Sequence, residues 1–355
     1  MLMKEINLGF HKKKAICFDT KAAMNQHILL LGKSGSGKST EAQKIILELS
    51  RQQRTVLIFD IHSVAAEEQI FSAFRDGFKA KSHEINAYRD GISCNLFQPL
   101  VFADGESEKQ SDAVEAVVNM LSRTVKLGSK QRIILRKALF SVINNGSYVA
   151  NGFASIDFAL SEFGTADAES VREKLYPLTA RNIFCEGDLF IQRGKINLIR
   201  LSRFDLETQA VVTELVLSYV WRLAVSSKFR DDGLFIFVDE FLNLPLAKGC
   251  AIDQILAEGR KFNINLILTA QQLDLRPSSA AQQWLMQSGL ILLFRPGMTQ
   301  AHTLAKLIGQ DAVKEWTKTL SELECGEFIA VGDLTVDGIP IKKPLRISSK
   351  TDRAN

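Results

Sequence analysis

The sequence predicts an α/β protein whose mostly parallel sheet is flanked by helices, with a mostly helical insertion set into its middle. Three observations carry that prediction. Strongly apolar runs of strand length recur at residues 28–31, 55–59, 196–201, 234–238, 265–269 and 290–294, the pattern of strands buried on both faces. Stretches with apolar residues at helical spacing alternate with them, and strand–helix–strand units make parallel sheets with right-handed crossovers. With 46% hydrophobic and 24% charged residues over 355 positions, the chain has the composition of a large α/β fold with a sizeable core.

The elements follow in order. Residues 4–10 and 15–18 read as two short strands joined by the basic turn His11-Lys12-Lys13-Lys14. The strand at 27–31 ends at a glycine. Residues 38–51 then read as a helix, with Ala42, Ile45, Ile46 and Leu49 spaced to lie against a sheet. The strand at 55–59 is closed by Asp60. From about residue 104 to 181 the character changes to helical stretches (112–124, 131–143, 168–175) separated by breaks such as Asn144-Asn145-Gly146. The α/β pattern resumes with helices at 207–226, 253–261, 281–288 and 299–308 between the later strands. A closing hairpin is expected to pair 327–331 with 339–344 around the turn dipeptide Asp337-Gly338. The expected organisation is a first core portion at 1–103, the insertion at 104–181, the rest of the core at 182–347 and a polar tail at 348–355.

The totals exclude some classes. A net charge of +4, from 44 basic and 40 acidic side chains, is too small to define a nucleic-acid partner and leaves room for one in local patches. The apolar runs fall short of the roughly 18–20 residues of a membrane helix, and the first ten residues lack a signal-peptide core. A cytoplasmic protein without an integral membrane segment is expected. Five scattered cysteines (Cys17, Cys94, Cys185, Cys250, Cys325) suit buried, reduced thiols better than a disulfide framework or zinc.

Gly32-Lys33-Ser34-Gly35-Ser36-Gly37-Lys38-Ser39 fits G-x-x-x-x-G-K-[ST] in full. Glycines let the backbone curl until successive N–H groups point at phosphate oxygens. The helix that follows aims its positive end at the same anion. Lys38 would reach the β- and γ-phosphates, and Ser39 would offer its hydroxyl to Mg²⁺. The nucleotide-binding stretch is therefore read as Gly32 through Thr40. A Gly-Ser linker can match by chance, but this one leaves an apolar strand and opens a helix.

The run Leu234–Val238 ends in Asp239 and Glu240. Asp239 is placed to hold Mg²⁺ and Glu240 to orient and deprotonate the attacking water. Alone, such a strand end is common; downstream of a phosphate loop it reads as an ATP hydrolysis site. A whole strand and a long insertion separate the two motifs, and with the added Glu this is the pattern of RecA-like and AAA-type P-loop motors. The strand at 265–269 runs into Ala270-Gln271, which places the Gln271 amide as a sensor of the γ-phosphate. Arg260, ahead of that strand, and Arg295, after the last core strand, are the candidates for an arginine finger. Each also has the plain reading of a surface arginine.

With these residues in hand the chain resembles the HerA–FtsK superfamily of ring-shaped pumping ATPases, above all its conjugation coupling protein and type IV secretion ATPase branch. The resemblance rests on residues 27–40, Phe-Asp-Ile-His at 59–62, Val238-Asp239-Glu240, and Gly259-Arg260-Lys261-Phe262 leading into Leu268-Thr269-Ala270-Gln271-Gln272. It implies a RecA-like core and a homo-hexamer with ATP and Mg²⁺ at subunit interfaces and substrate in the channel. Lys38 and Ser39 would take nucleotide and metal, Asp239 and Glu240 hydrolysis, Gln271 sensing, and Arg260 ahead of Arg295 the finger. The chain departs from the family in lacking the membrane helices, leading domain or DNA-reading module of its larger members. It reads as a bare motor or a fragment, with Met1 favouring the former.

Two kinds of work stay open. DNA translocation draws on basic clusters at residues 11–14, at Lys126, Lys130, Arg132, Arg136 and Lys137, and at Lys342-Lys343, which a ring would repeat around its pore. The alternative is an ATPase of a secretion or conjugation apparatus, met at the membrane through protein partners docked on the insertion. A nuclease partner is compatible with either. A small-molecule kinase would use the same loop, but the Asp-Glu pair and the candidate fingers argue against it.

Overall fold

The computed structural model describes residues 5–349 apart from 21, 62–64, 103, 190, 227–228, 230–232, 245, 247, 273–285 and 287. Residues 281–285 and 287 of the helix expected at 281–288, His62 and the end of the polar tail lie outside the described residues.

In chain order the strands are β1 (Glu5–His11), β2 (Lys14–Asp19), β3 (Ile28–Leu31), β4 (Thr55–Asp60), β5 (Ser82–Asn86), β6 (Ile92–Ser93), β7 (Phe184–Cys185) and β8 (Ile196–Arg200). There follow β9 (Leu234–Val238), β10 (Ile264–Ala270), β11 (Leu290–Phe294), β12 (Glu327–Gly332), β13 (Leu334–Val336), β14 (Ile339–Ile341) and β15 (Leu345–Ser348). All but β6 and β7, which pair with each other, join one 13-stranded sheet in the order β14-β13-β2-β1-β15-β12-β11-β3-β10-β9-β4-β8-β5. From β11 to β5 every neighbour is parallel; from β11 outward through β12 to β14 every neighbour is antiparallel. The parallel half is the α/β core, and the antiparallel half is a wing built from both ends of the chain.

The apolar runs divide by alternation, as period 2 requires. Ile28, Leu30, Val56, Ile58, Phe235, Phe237 and Ile267 face one side. There they pack on Ala42, Ile45, Ile46 and Leu49 of α1 (Lys38–Arg51). Leu29, Leu31, Leu57, Phe59, Ile236, Val238, Leu266 and Leu268 face the other, within a cluster that continues through the helices beyond. Those helices include α4 (Gln110–Thr124), α5 (Ser129–Asn144), α6 (Ser147–Asn151), α7 (Ala154–Ser161), α8 (Ala166–Thr179), α9 (Leu206–Val225) and α10 (Ala251–Glu258), numbered after the short α2 (Arg75–Lys81) and α3 (Ala87–Asp90). Three of the five helices between residues 104 and 181 have the periodicity that predicts them. The other two are short and bounded by Gly146 and Gly152, at φ 72° and 56°, and too brief to show a period.

Two expectations are corrected. The turn at Asp337-Gly338 is present, but its hairpin joins β14 to β13 rather than to 327–331. The segment Gly332-Asp333 breaks the run, so β12 pairs with β11 and β15 while β13 turns away to β2. The cysteines are also not uniformly buried: Cys94 and Cys250 are, whereas Cys325 is exposed.

Candidate functional site

The phosphate loop leaves the carboxyl end of β3 and is held on both flanks by backbone. Gly32 N–H donates to the Ala270 carbonyl of β10 (3.2 Å), and Lys33 N–H to the Arg295 carbonyl beyond β11 (2.9 Å). Gly32 needs its missing side chain: its φ is +155°, and a Cβ there would lie 2.6 Å from the Phe294 Cβ. Gly37, at φ +102°, is the residue from which α1 springs, and a Cβ on it would meet the Gly326 backbone nitrogen at 2.9 Å. Gly326 N–H donates to the Ser36 carbonyl (3.1 Å), so the segment before β12 is pressed against the loop.

Lys38 opens α1 and is buried. Its Nζ donates to the carbonyls of Gly32 (2.6 Å) and Lys33 (3.2 Å). Burial pushes its amine below the ordinary lysine value, while the charges of Glu240 and Asp239 oppose that shift. A lysine folded onto its own loop beside two carboxylates is a cation held ready for an anion.

Strand β10 lies between β3 and β9, which brings its carboxyl end, and Gln271, between the loop and the acidic pair. Asp239, just past the end of β9, is buried and accepts a hydrogen bond from the Thr269 hydroxyl. Glu240 sits at φ 46° and ψ 48°, a left-handed conformation unusual for a residue with a side chain and found at functional sites. Its N–H donates to Thr269 Oγ1 (3.1 Å), and its Oε2 accepts the Gln271 N–H (3.1 Å). The side chains gather around a cavity of about 680 Å³ lined by Ser34, Lys38, Ser39, Thr40, Asp239, Glu240 and Gln271, among others. Asn243 and Cys325 line it too. Asn243 ends the 3₁₀ turn Phe241–Asn243 and Cys325 lies in a loop; both segments are too short or irregular to show a period, and no sequence signal marks them.

These residues fit a nucleotide and a divalent cation. The glycine-rich cradle is open where a Cβ on Gly35 would meet nothing, a buried lysine faces it, and the Ser39 hydroxyl and Asp239 carboxylate share its wall. Ser39 and Asp239 would hold Mg²⁺ there, and its positive charge would offset the charge that develops on the phosphates.

The arginines divide. Arg295 is exposed at the loop's end of the sheet and touches the loop through its carbonyl. Arg260 is exposed on the short turn Gly259–Phe262 before β10, in a polar recess with Arg54, Asn263 and Asn265. It stands at the opposite end of β10 from Gln271, about 20 Å away at ~3.3 Å per residue. Among the described residues lining the cavity beside Lys38, none is an arginine. Asp60, in the segment 59–62, does not join the cavity; it binds Arg200 at 2.6 Å and accepts the Ala65 N–H, stitching β4 to β8.

His27 fixes the far end. Its Nδ1 accepts the Leu266 N–H (3.0 Å), and the ring also bonds the Ile255 backbone of α10, so the turn carrying Arg260 is held to the loop strand. Burial holds its pKa down, from 6.5 to about 4. The unfolded chain therefore binds more protons between those values, and the stability from neutral His27 is present above pH 6.5 and lost as pH falls toward 4, by up to about 3 kcal/mol. Buried Glu41 and Glu214, raised to about 7, act oppositely, losing stability as pH rises from 4.5 to 7. Denaturant midpoints for wild type and His27→Gln should thus converge below pH 6; a constant gap would show that the imidazole titrates normally.

A phosphate loop, an acidic strand end and a strand set between them on a parallel sheet define a P-loop NTPase of RecA-like fold. The model of the helicase HerA central domain matches residues 6–220, more than half of the chain, and the chain belongs to that family. It is 23% identical over 344 residues to the probable helicase MJ1565 of Methanocaldococcus jannaschii, and 22% over 331 residues to the DNA double-strand break repair helicase HerA of Sulfurisphaera tokodaii. Each match covers 88% of this chain but only 61% and 63% of those proteins, so the chain spans about three fifths of their length. Among solved structures, VirB4 of Thermoanaerobacter pseudethanolicus superposes with a TM-score of 0.73 at 16% identity, over 98% of this chain and 96% of that one. The plasmid coupling protein TrwB in complex with ADP and Mg²⁺ does so with 0.58 at 14%, over 92% and 87%.

Proposed function

We propose that this chain is a Mg²⁺-dependent ATPase that works in a homo-hexameric ring and moves DNA through it. One observation carries the reading. The nucleotide cavity has its lysine, metal ligands, base and sensor from one chain but no arginine among its described residues, while Arg260 is presented at the far end of the sensor strand. A neighbouring copy placing Arg260 at that cavity completes the site. The names of the relatives, helicases of DNA repair among them, favour DNA as the substrate.

The basic clusters change in weight. Arg132 and Arg136 both bind Glu115, at 2.9 and 2.6 Å, so neither is a free phosphate contact. Lys12 and Lys13, both at positive φ in the tip of the β1–β2 hairpin, are exposed, as are Lys126, Lys130, Lys137, Lys342 and Lys343. These lysines are the better candidates for a backbone track. Steady-state ATP hydrolysis is expected to rise several-fold with linear duplex DNA and to lose that rise at high salt, as phosphate contacts require. Hydrolysis indifferent to duplex and single-stranded DNA at low salt would sink DNA as the substrate.

A second reading keeps the ATPase and exchanges DNA for a protein apparatus of secretion or conjugation. Its support is the insertion, whose α6, α7 and α8 expose Val149, Phe158 and Tyr176 at 66%, 68% and 65%, the kind of surface that partners cover.

A further inference from the structure

We propose that Thr269 is a positioning residue for both carboxylates of the site, its single hydroxyl setting the rotamer of Asp239 and the backbone turn of Glu240. The inference rests on the ATPase reading above and adds to it a residue that touches neither nucleotide nor metal.

The register brings the three residues together. β9 and β10 are parallel with Leu268 opposite Val238, so one step further Thr269 stands level with Asp239. Alternation turns Thr269 to the same side as Ile267 and Asp239 to the same side as Phe237, the side covered by α1. That is the side from which Lys38 and Ser39 reach the cavity. Thr269 is fully buried, and a buried hydroxyl is costly unless bonded. A strand former at this point would otherwise be apolar, like Ile267 on the same face.

The hydrogen bonds leave one assignment. A threonine hydroxyl has one hydrogen and two lone pairs. Glu240 N–H can only donate, so Thr269 Oγ1 accepts there (3.1 Å). The hydroxyl hydrogen is then given to Asp239 Oδ1, which can only accept as a carboxylate. Threonine is stiff at χ1, so the strand itself holds the donor in place. Two residues on, the Gln271 N–H donates to the Glu240 carboxylate (3.1 Å). β10 and the residue that follows it therefore grip the acidic pair at three points: the metal ligand, the backbone of the base and the side chain of the base. Without the hydroxyl, Asp239 is free to turn from the cavity it shares with Ser39, and the left-handed turn at Glu240 loses the bond that fixes it.

Thr269→Val keeps the shape and removes the hydroxyl, whereas Thr269→Ser keeps the hydroxyl and drops a methyl. Fluorescent ATP-analogue binding would be measured with and without Mg²⁺, beside kcat, KM and the Mg²⁺ dependence of hydrolysis. With Thr269→Val, kcat is expected to fall about 10–100-fold, as when a partner of a metal ligand is removed. The gain in analogue affinity on adding Mg²⁺ should fall as well. Mg²⁺-free affinity, which reports the phosphate loop alone, should stay within about 2-fold, and Thr269→Ser should recover most of both losses. The proposal is overturned if Thr269→Val keeps wild-type kcat and Mg²⁺ response, if it loses Mg²⁺-free affinity to the same degree, or if Thr269→Ser behaves like Thr269→Val. A wild-type chain that binds the analogue and hydrolyses nothing would instead overturn the ATPase reading, and the proposal with it.

Discussion

Glu240→Gln is expected to lower ATP turnover by about 10²–10⁴-fold, the range over which a positioned general base acts, while nucleotide affinity is retained. The reasoning is geometric. Glutamine has the size of glutamate, and its carbonyl oxygen can still accept the Gln271 N–H that Glu240 Oε2 accepts at 3.1 Å. The Glu240 backbone, bonded to Thr269, is not altered. What is lost is a carboxylate able to take a proton from water. Lys38 keeps Asp239 as a charge opposing its burial, so the phosphate loop should hold nucleotide as before. Single-turnover hydrolysis and analogue binding on the same preparation would separate the two effects. Turnover within a few-fold of wild type would move the base elsewhere, with Asp239 the first residue to examine.

The parts of this site that could be read from the sequence are those with local chemistry. α1 begins at Lys38 and ends at Arg51 as expected, because a glycine-rich loop precedes it and its apolar spacing is regular. β9 and β11 also have their expected ends, each a run of apolar residues closed by charge. Three things were hidden for different physical reasons. β5 carries one large apolar residue, Ile85, in Ser82–Asn86; at the edge of the sheet it has little to bury and shows no period. Cys325 enters the cavity from a loop and Asn243 from the 3₁₀ turn Phe241–Asn243, and the bond from Gly326 N–H to the Ser36 carbonyl joins residues nearly the whole chain apart. Thr269 is an ordinary strand residue until the β9–β10 register sets it beside Asp239. Local pattern names the groups that do chemistry; register and long-range packing decide which groups hold them.

The same distinction governs the arginines. Arg260 and Gln271 bracket one strand, so in a single chain the guanidinium stands about 20 Å from the cavity at ~3.3 Å per residue, with a seven-residue strand between them. His27, bonded to β10 and α10, and Gly259, whose Cβ would lie 2.5 Å from the Ile264 carbonyl, leave that turn little room to travel. If Arg260 stabilises the transition state, it does so in a neighbour's site. Arg260→Ala should then cost about 10³-fold or more in turnover, the range of an arginine finger, while leaving nucleotide binding by its own chain intact. Mixing it with Glu240→Gln provides the decisive form of the test. Each variant alone is then expected to turn over slowly, since in such a ring every interface would lack either its base or its finger. In a ring assembled from equal amounts of both, an interface works when the Arg260→Ala chain supplies the cavity and the Glu240→Gln chain supplies the arginine. With random order that is ½ × ½, about a quarter of the interfaces of a cyclic assembly. Recovered turnover near that fraction is expected after the two are unfolded, mixed and refolded together. No recovery, with each variant still binding nucleotide, would place the finger within its own chain. Arg295, at the loop's end of the sheet, would then be the residue to replace.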